Sequence, residues 1–347
     1  MESYSDNADF DAAQAELHAA GVTDGLPVVP PTEVRITAML AHGGFRPDEV
    51  ITALPPAFAD ATWRDVATNA VMAGCLPEHL AVVGAVVEAL AAPEFNLIGI
   101  ATTTGSAAPL IIVNGPVAER IGMNGAGNAL GPGNRANAAI GRAVSLCLRN
   151  IGDAKPGEMD MATLGQPAKY TCCFAENAAE SPWPPLHVER GFAPEDSVVT
   201  VVGIAGTLEV VDSASRSAED LAQTFAQSML IAGTRGSHGL LGGGEPLLIV
   251  PPEMAAVFMR DGRDKAWAKA AIFARAVFPL ERLSAGVREH LVSVMTSTGS
   301  ADPAAPLRVA ARAEDVMLVV AGGVGMKAVY APTWAGGTRA VSRRVRT

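Results

Sequence analysis

Residues 176–191 contain the densest group of side chains that could carry chemistry. Glu176, His187 and Glu189 lie here together with an arginine, a tryptophan and three prolines. The prolines stiffen the loop, and a catalytic group must be held in position before substrate arrives. His187 with Glu176 or Glu189 could form an acid/base pair, or the same residues could bind a metal together with a cysteine. Neither spacing is diagnostic, and a surface loop whose charges pair with one another remains the alternative.

A glycine-rich turn at residues 131–137 precedes a helix that the sequence predicts over residues 138–148. The free N–H groups at the start of that helix, with Arg135 and Asn137, would bind a carboxylate or phosphate. The alternative is a simple tight turn. The turn matches neither phosphate-binding glycine motif in the required context, so no nucleotide is inferred.

A second glycine-rich loop, residues 234–245, contains Arg235, Ser237, His238 and Glu245. His238 stands beside a glycine and could exchange protons near neutral pH, while Arg235 and Ser237 would contact substrate. A surface loop without function is the alternative.

Cys75 is the best candidate for a nucleophile among the four cysteines. It lies just before a helix that begins at Pro77, and the dipole of that helix is expected to lower its pKa. A buried, inert Cys75 is the competing interpretation. Cys147 belongs to an apolar helix face, and the adjacent Cys172 and Cys173 lie in a predicted strand, where they must face opposite sides.

The pattern of apolar runs and turn residues predicts an α/β fold. Helices are expected over residues 8–20, from residue 33 after a Thr32 cap, over 62–73, and from Pro77 to about 90. After residue 96, short apolar strands alternate with glycine loops and helices.

An internal repeat predicts two related strand-loop-helix lobes around a central cleft. The first copy has Thr104 and Ser106 before an apolar strand ending near Asn114, and these three residues are candidates for substrate binding. Matching segments are residues 104–106 and 235–237, 109–113 and 246–250, and 136–140 and 268–272. The expected domains are a helical segment at 1–95, a first lobe at 96–200 and a second lobe at 201–347. Ligands of open α/β sheets bind at strand ends.

The composition limits the classes of function. Of the 347 residues, 49% are hydrophobic and 18% charged, which is typical of an extensively buried protein and favours a homo-oligomer. A net charge of −10 disfavours nucleic-acid partners. The chain shows no secretory signal and no continuous apolar run of membrane-spanning length, so we expect a cytoplasmic protein without a membrane partner.

Several segments taken together resemble a largely uncharacterised bacterial family whose gene neighbourhoods encode small UGSC-type (seleno)proteins. The resembling segments are residues 24–32 (DGLPVVPPT), 69–77 (NAVMAGCLP), 109–116 (PLIIVNGP), 131–143, 176–192 and 320–323 (VAGG). The resemblance covers nearly the whole chain and implies redox chemistry or cleavage of a carbon–heteroatom bond. It supplies no cofactor and no catalytic residue, and this chain has no UGSC motif.

The leading hypothesis is an enzyme that acts on a small, carboxylate-bearing metabolite by lyase or hydrolase chemistry. Arg135 and Asn137 would hold the anion, His187 or His238 would move protons, and Cys75 would be the nucleophile if one is used. One alternative is a thiol-redox partner subunit of a selenoprotein system. The other is a binding protein for an anionic metabolite that does no catalysis.

Overall fold

A computed structural model describes residues 9–230, 240–299, 302 and 305–346 of the chain. Its helices are α1 (Phe10–Ala19), α2 (Glu33–Gly43), α3 (Trp63–Met72), α4 (Leu80–Leu90), α5 (Leu97–Thr102), α6 (Pro116–Arg120), α7 (Arg135–Asn150), α8 (Leu186–Glu189), α9 (Ala218–Ser228), α10 (Pro252–Arg260), α11 (Lys265–Arg275) and α12 (Ala285–Thr298). Its strands are β1 (Val50–Leu54), β2 (Ala59–Thr62), β3 (Ala108–Asn114), β4 (Cys173–Ala175), β5 (Val198–Ile204), β6 (Leu208–Val211), β7 (Leu240–Gly244), β8 (Leu247–Val250), β9 (Val277–Phe278), β10 (Leu307–Ala310), β11 (Met317–Val320), β12 (Lys327–Ala331) and β13 (Val341–Arg344).

The first four helices begin and end close to the capping residues from which the sequence predicts their ends. The side chain of Thr32 accepts a hydrogen bond from the N–H of Arg35 at the start of α2, and Gly44 ends that helix in the left-handed conformation. Thr62 and Asp65 form a capping box at α3. The helix expected from Pro77 begins as a 3₁₀ turn and continues as α4.

Two four-stranded mixed sheets form the centre of the molecule, which confirms an α/β fold. The first sheet has the order β13-β5-β3-β4 and the second the order β11-β8-β12-β6. In each sheet one pair is parallel, β3 with β4 and β8 with β11, and the other two pairs are antiparallel. The two sheets therefore share one pattern of strand directions.

The outer strands of the two sheets are exchanged along the chain. After β5, in the first sheet, the chain crosses to the second sheet as β6 and pairs with β12. After β12, in the second sheet, it returns to the first sheet as β13 and pairs with β5. Each sheet is thus completed by an outer strand that directly follows a strand of the other sheet along the chain.

Alternating side chains of the strands build four layers. In β3, Leu110 and Ile112 pack in an apolar cluster between the two sheets, whereas Ile111 packs against the helices outside. In β8, Ile249 joins the cluster between the sheets and Leu248 faces the other helices. The helices covering the first sheet include α3, α4 and α7, and those covering the second include α9, α10 and α11. Helices therefore cover both outer faces of a sheet-on-sheet core.

Two smaller sheets complete the described chain: β1 pairs with β2, and β10 lies between β7 and β9. Among the described residues, no helix combines the length and the apolar character needed to cross a membrane.

Replacing Ile112 by alanine tests the apolar layer between the sheets. Ile112 is fully buried there, so Ile112→Ala is expected to lower the free energy of unfolding by about 2–5 kcal/mol through the cavity it leaves. Val324→Ala, at a side chain that is 96% exposed, is the control and should change stability by no more than about 0.5 kcal/mol. Equal values from denaturant unfolding of the two variants would contradict the four-layer arrangement.

Candidate functional site

A cavity of about 1210 Å³ opens at the edge of the layer between the sheets. It is bounded by the loop between β4 and β5, by α11, by the turn before β11 and by the approach to β13. Its charged lining residues are Glu94, Glu189, Arg190, Glu245, Asp264, Lys265, Lys269, Arg312, Glu314, Asp315, Arg339 and Arg343. Apolar residues such as Trp183, Leu186 and Met317 form part of its wall.

Two lysines of α11 and one glutamate, called here the lysine cluster, lie on one side of the cavity. Lys265 and Lys269 are one turn apart and so project from one face of the helix. Lys265 Nζ is 2.6 Å from one carboxylate oxygen of Glu189, and Lys269 Nζ contacts the other oxygen. Both lysine side chains are only 9% exposed and that of Glu189 is 29% exposed. Two nearly buried ammonium groups thus share one carboxylate.

The positive charge of the two lysines determines the direction in which the pKa of Glu189 is shifted. Burial by itself raises the pKa of Glu189, but Lys265 and Lys269 outweigh burial and hold that pKa below its ordinary value. Each ammonium has three N–H donors, and one carboxylate cannot satisfy six donors with good geometry. Lys265 Nζ also donates to the carbonyl of Pro184 at 3.4 Å, and the donors that are left could bind a second anion.

A second group of charges, called here the arginine cluster, consists of Arg190, Glu245, Arg312, Asp315 and Arg339. Arg339 reaches both carboxylates, at 3.0 Å from Glu245 and 3.0 Å from Asp315, and Arg312 lies 2.9 Å from Asp315. Arg190 is held by neutral groups that β13 brings across from the other half. Its Nε donates to the hydroxyl of Ser342 at 2.7 Å and its Nη2 to the carbonyl of Ala340 at 2.7 Å.

Glu245 is the carboxyl group in the cavity that is best suited to hold a proton. It is buried, and burial raises its pKa against the opposing effects of the Ala340 N–H and of Arg339 and Arg190. The Ala340 N–H donates to one of its oxygens at 2.6 Å, and Arg339 lies beside the other. A protonated carboxyl facing a cavity can act as a general acid.

The expected pairing of His187 with Glu176 or Glu189 is wrong. His187 is buried, and its Nε2 faces the carbonyl of Pro194 at 3.3 Å. His187 and Glu189 are two positions apart in the short helix α8, and side chains at that spacing do not face each other. Of the residues expected in this loop, only Glu189 lines the cavity.

Glu176 and Asn114 meet at the buried ends of β4 and β3. Asn114 Nδ2 donates to Glu176 Oε2 at 2.6 Å, and the N–H of Leu186 donates to the same oxygen at 2.8 Å. Burial raises the pKa of Glu176. These contacts hold the first residue of α8, so both side chains help to position Glu189 rather than to contact a ligand of the cavity.

The glycine-rich turn before α7 is occupied by internal contacts. Asn134 caps the helix by accepting a hydrogen bond from the Asn137 N–H, and α7 begins at Arg135, three residues earlier than predicted. Arg135 Nε donates to the carbonyl of Gly74 at 3.0 Å. The side chain of Asn137 bonds the backbone of Asn124 and of a further loop residue. Neither residue lines the cavity.

Thr104 and Ser106 lie at the opposite end of β3 from Asn114, so the five expected substrate contacts of the first lobe do not converge. The Thr104 carbonyl accepts from the N–H of Thr163 at 2.9 Å, and the Ser106 carbonyl accepts from the side chain of Gln166. A separate cavity of about 610 Å³ lies near this end of the strand. Its ionised groups include Lys169, which pairs with Asp160 at 2.6 Å.

The expected activation of Cys75 is wrong. Cys75 is buried in the apolar core, and burial raises its pKa far more than the nearby Arg135 lowers it. The opposite orientation expected of the adjacent cysteines is confirmed, because Cys173 faces the helices and Cys172 the layer between the sheets, but only Cys173 lies in the strand, β4. Burial raises the pKa of Cys172 to about 12.

Arg235, Ser237 and His238 lie outside the described residues. Within the described part of the chain, no group of three or more His, Cys, Asp or Glu side chains is arranged to hold a metal ion.

Sequence reasoning missed most of the charged groups that line the cavity. The missed residues are Arg190, Lys265, Lys269, Arg312, Asp315 and Arg339. One signal was present: Lys265 and Lys269 stand four apart within an alanine-rich helix, a spacing that puts two cations on one helix face.

No protein-family model, curated protein or solved structure matches the chain. The proposed function is therefore inferred from the residues that line the cavity.

Replacing Glu189 by glutamine tests the lysine cluster. Glu189→Gln leaves two nearly buried ammonium groups without their carboxylate, so we expect a loss of about 1–3 kcal/mol in the free energy of unfolding at pH 7, less than for a fully buried pair. Because the folded-state pKa of Glu189 is lowered from 4.5, this contribution is present above about pH 5 and is lost as the pH falls. Denaturant unfolding of both proteins at a series of pH values measures it.

The control for that experiment is Glu119→Gln, at an exposed glutamate of α6, which should leave stability unchanged at every pH. A difference between wild type and Glu189→Gln that grows as the pH falls from 7 to 4 would contradict the assignment.

Native alkylation tests the environment of the cysteines. Because Cys75 and Cys147 are buried, with pKa values that burial raises, iodoacetamide at pH 7 should leave both unmodified in the folded protein. All four cysteines should react after denaturation, which serves as the control. Mass spectrometry that finds Cys75 alkylated within minutes in the native protein would overturn this placement.

Proposed function

We propose that the chain is an enzyme that binds a small carboxylate-bearing metabolite in the cavity beside α11 and acts on it by lyase or hydrolase chemistry. The observation that carries the proposal is the sharing of one Glu189 carboxylate by two nearly buried lysines in a cavity of about 1210 Å³. An anionic group of the metabolite would complete the charge balance of this cluster. A cavity of this volume suits a small molecule.

The chemistry proposed for the cavity is proton transfer. Lys265 and Lys269 would hold the carboxylate of the metabolite and fix its orientation, while Glu189 keeps both lysines in place. As the bond to the leaving group breaks, Glu245, with a pKa that burial raises, would donate its proton to that group, and in a hydrolysis water would add to the other atom of the broken bond and return a proton to Glu245. Arg339 would stay beside Glu245 and stabilise the carboxylate that remains after the transfer.

The proposal also includes an origin by duplication, with the site in a cleft between the two halves. Two facts support it: both main sheets have the same pattern of strand directions, and β3 and β8, which carry the matching apolar segments, occupy corresponding positions. The cavity is lined from both halves, by the loop after β4 on one side and by α11 on the other.

Removal of one ammonium group tests anion binding. A panel of acetate, lactate, succinate, glutarate and citrate would be titrated into the protein by isothermal calorimetry. We expect at least one acid to bind wild type, and Lys269→Met to weaken it at least tenfold, because the variant loses a nearly buried cation that contacts the ligand. Lys327→Met, at an exposed lysine of β12, is the matched control and should bind like wild type. Equal affinities of Lys269→Met and Lys327→Met would refute the site.

Replacement of Glu245 separates catalysis from binding alone. For a panel acid that wild type consumes, followed by proton NMR, Glu245→Gln should lower turnover at least a hundredfold and change the dissociation constant less than threefold. Binding of lactate and citrate, the two panel acids with a hydroxyl leaving group, without consumption of either would favour a binding protein over an enzyme.

A further inference from the structure

The cavity contains a second group of cations besides the lysine cluster, and the two groups adjoin at Glu189 and Arg190. The lysine cluster comes from α11 and from the end of α8. The arginine cluster is formed by the residue after α8, the turn before β11, the residue after β7 and the approach to β13. Both clusters line the same cavity, yet no ion pair joins them among the described residues.

Each cluster carries more cations than carboxylates. The lysine cluster has two ammonium groups and one ion-paired carboxylate, and the buried carboxyl group of Glu176, whose pKa burial raises, lies near Lys265 as well. In the arginine cluster, Arg190, Arg312 and Arg339 face the carboxyl groups of Glu245 and Asp315. Protonation of Glu245 would increase this second excess. With Glu245 ionised, one anionic group at each end would balance the two clusters, and with Glu245 protonated the arginine cluster would keep one further positive charge.

Arg190 is the best-placed donor for an anion in the arginine cluster. Its bonds to Ser342 and Ala340 hold the guanidinium at neutral partners. Among the described residues no carboxylate is hydrogen-bonded to it, although Glu245 and Glu189 are near enough to oppose the lowering of its pKa by burial. A guanidinium held in this way presents its remaining N–H groups in a fixed plane, which suits the two oxygens of a carboxylate.

Acidic and apolar groups around the two clusters limit the kinds of ligand that the cavity can bind. Glu94, Asp264 and Glu314 line the cavity and are exposed, so they repel long polyanions while water screens their effect on the interior. The apolar wall includes Trp183 and Met317. A short hydrocarbon chain with an anionic group at each end fits these surroundings.

We propose that the metabolite is a dicarboxylate, with one carboxylate at the lysine cluster and the other at the arginine cluster. This inference rests on the function proposed above, because it extends the same cavity by a second anion subsite. The hydrocarbon between the two carboxylates would lie along the apolar wall.

Matched diacids and monoamides test the second subsite. Succinate, glutarate and adipate would each be titrated into wild type alongside the corresponding monoamide, which keeps the size of the diacid and removes one charge. The best diacid should bind at least tenfold more tightly than its monoamide. Arg190→Met should weaken the diacid at least fivefold and the monoamide less than twofold, so that it removes the preference.

Arg64→Met is the control, because Arg64 is an exposed arginine that pairs with Glu33 outside the cavity. It should leave the preference for the diacid intact. If diacid and monoamide bind equally to wild type while Lys269→Met weakens both, the dicarboxylate proposal is overturned and the single anion site survives. If none of the three diacids and none of the monoamides binds, both proposals fail.

Discussion

The apolar layer between the two sheets determines where polar chemistry can occur in this protein. Leu110 and Ile112 fill that layer from one sheet and Ile249 from the other, while the alternate side chains of the same strands pack against helices. Because β3 and β8 are covered on both faces, a charged side chain in their interior would be buried without a partner. Neither β3 nor β8 carries a charged side chain, and the charges of the cavity come from loops, from helices and from the edge strand β13.

Because the outer strands are exchanged, residues from both halves of the chain form the edge at which the cavity opens. Arg190 belongs to the loop after β4, yet its two hydrogen-bond partners, Ala340 and Ser342, arrive with β13 after the chain has built most of the second sheet. Glu245 accepts from the backbone of the same returning segment. Neither half alone would form the arginine cluster, so the integrity of the cavity depends on correct packing of the two sheets.

Local signals were enough to predict much of the fold. The apolar runs at residues 109–113, 246–250 and 316–320 correspond to β3, β8 and β11, and Thr32 caps its helix as expected. The face-to-face packing of the sheets and the exchange of β6 and β13 could not be predicted, because both depend on pairing between residues far apart in sequence. The predicted duplication and domain boundaries stay predictions, and β13, from the expected second lobe, lies in the first sheet.

The site was less predictable than the fold for the same reason. Glu189 and Lys269 are 80 positions apart, and no spacing rule joins them. His187 was expected to transfer protons because of its residue type. The geometry of the helix turns its side chain away from Glu189 and toward Pro194. Cys75 lies near a helix start, yet burial outweighs any effect of the dipole on its pKa. Residue type indicated reactive side chains, whereas only the packing decides which of them face a cavity.

The most direct test of the central claim, that two lysines form an anion site, is anomalous diffraction from a crystal soaked in sodium bromide. We expect an anomalous peak at ion-contact distance from the Nζ atoms of Lys265 and Lys269. We expect the same peak to be absent from a crystal of Lys269→Met. Bromide peaks found only outside the cavity, with none beside these two ammonium groups, would contradict the claim.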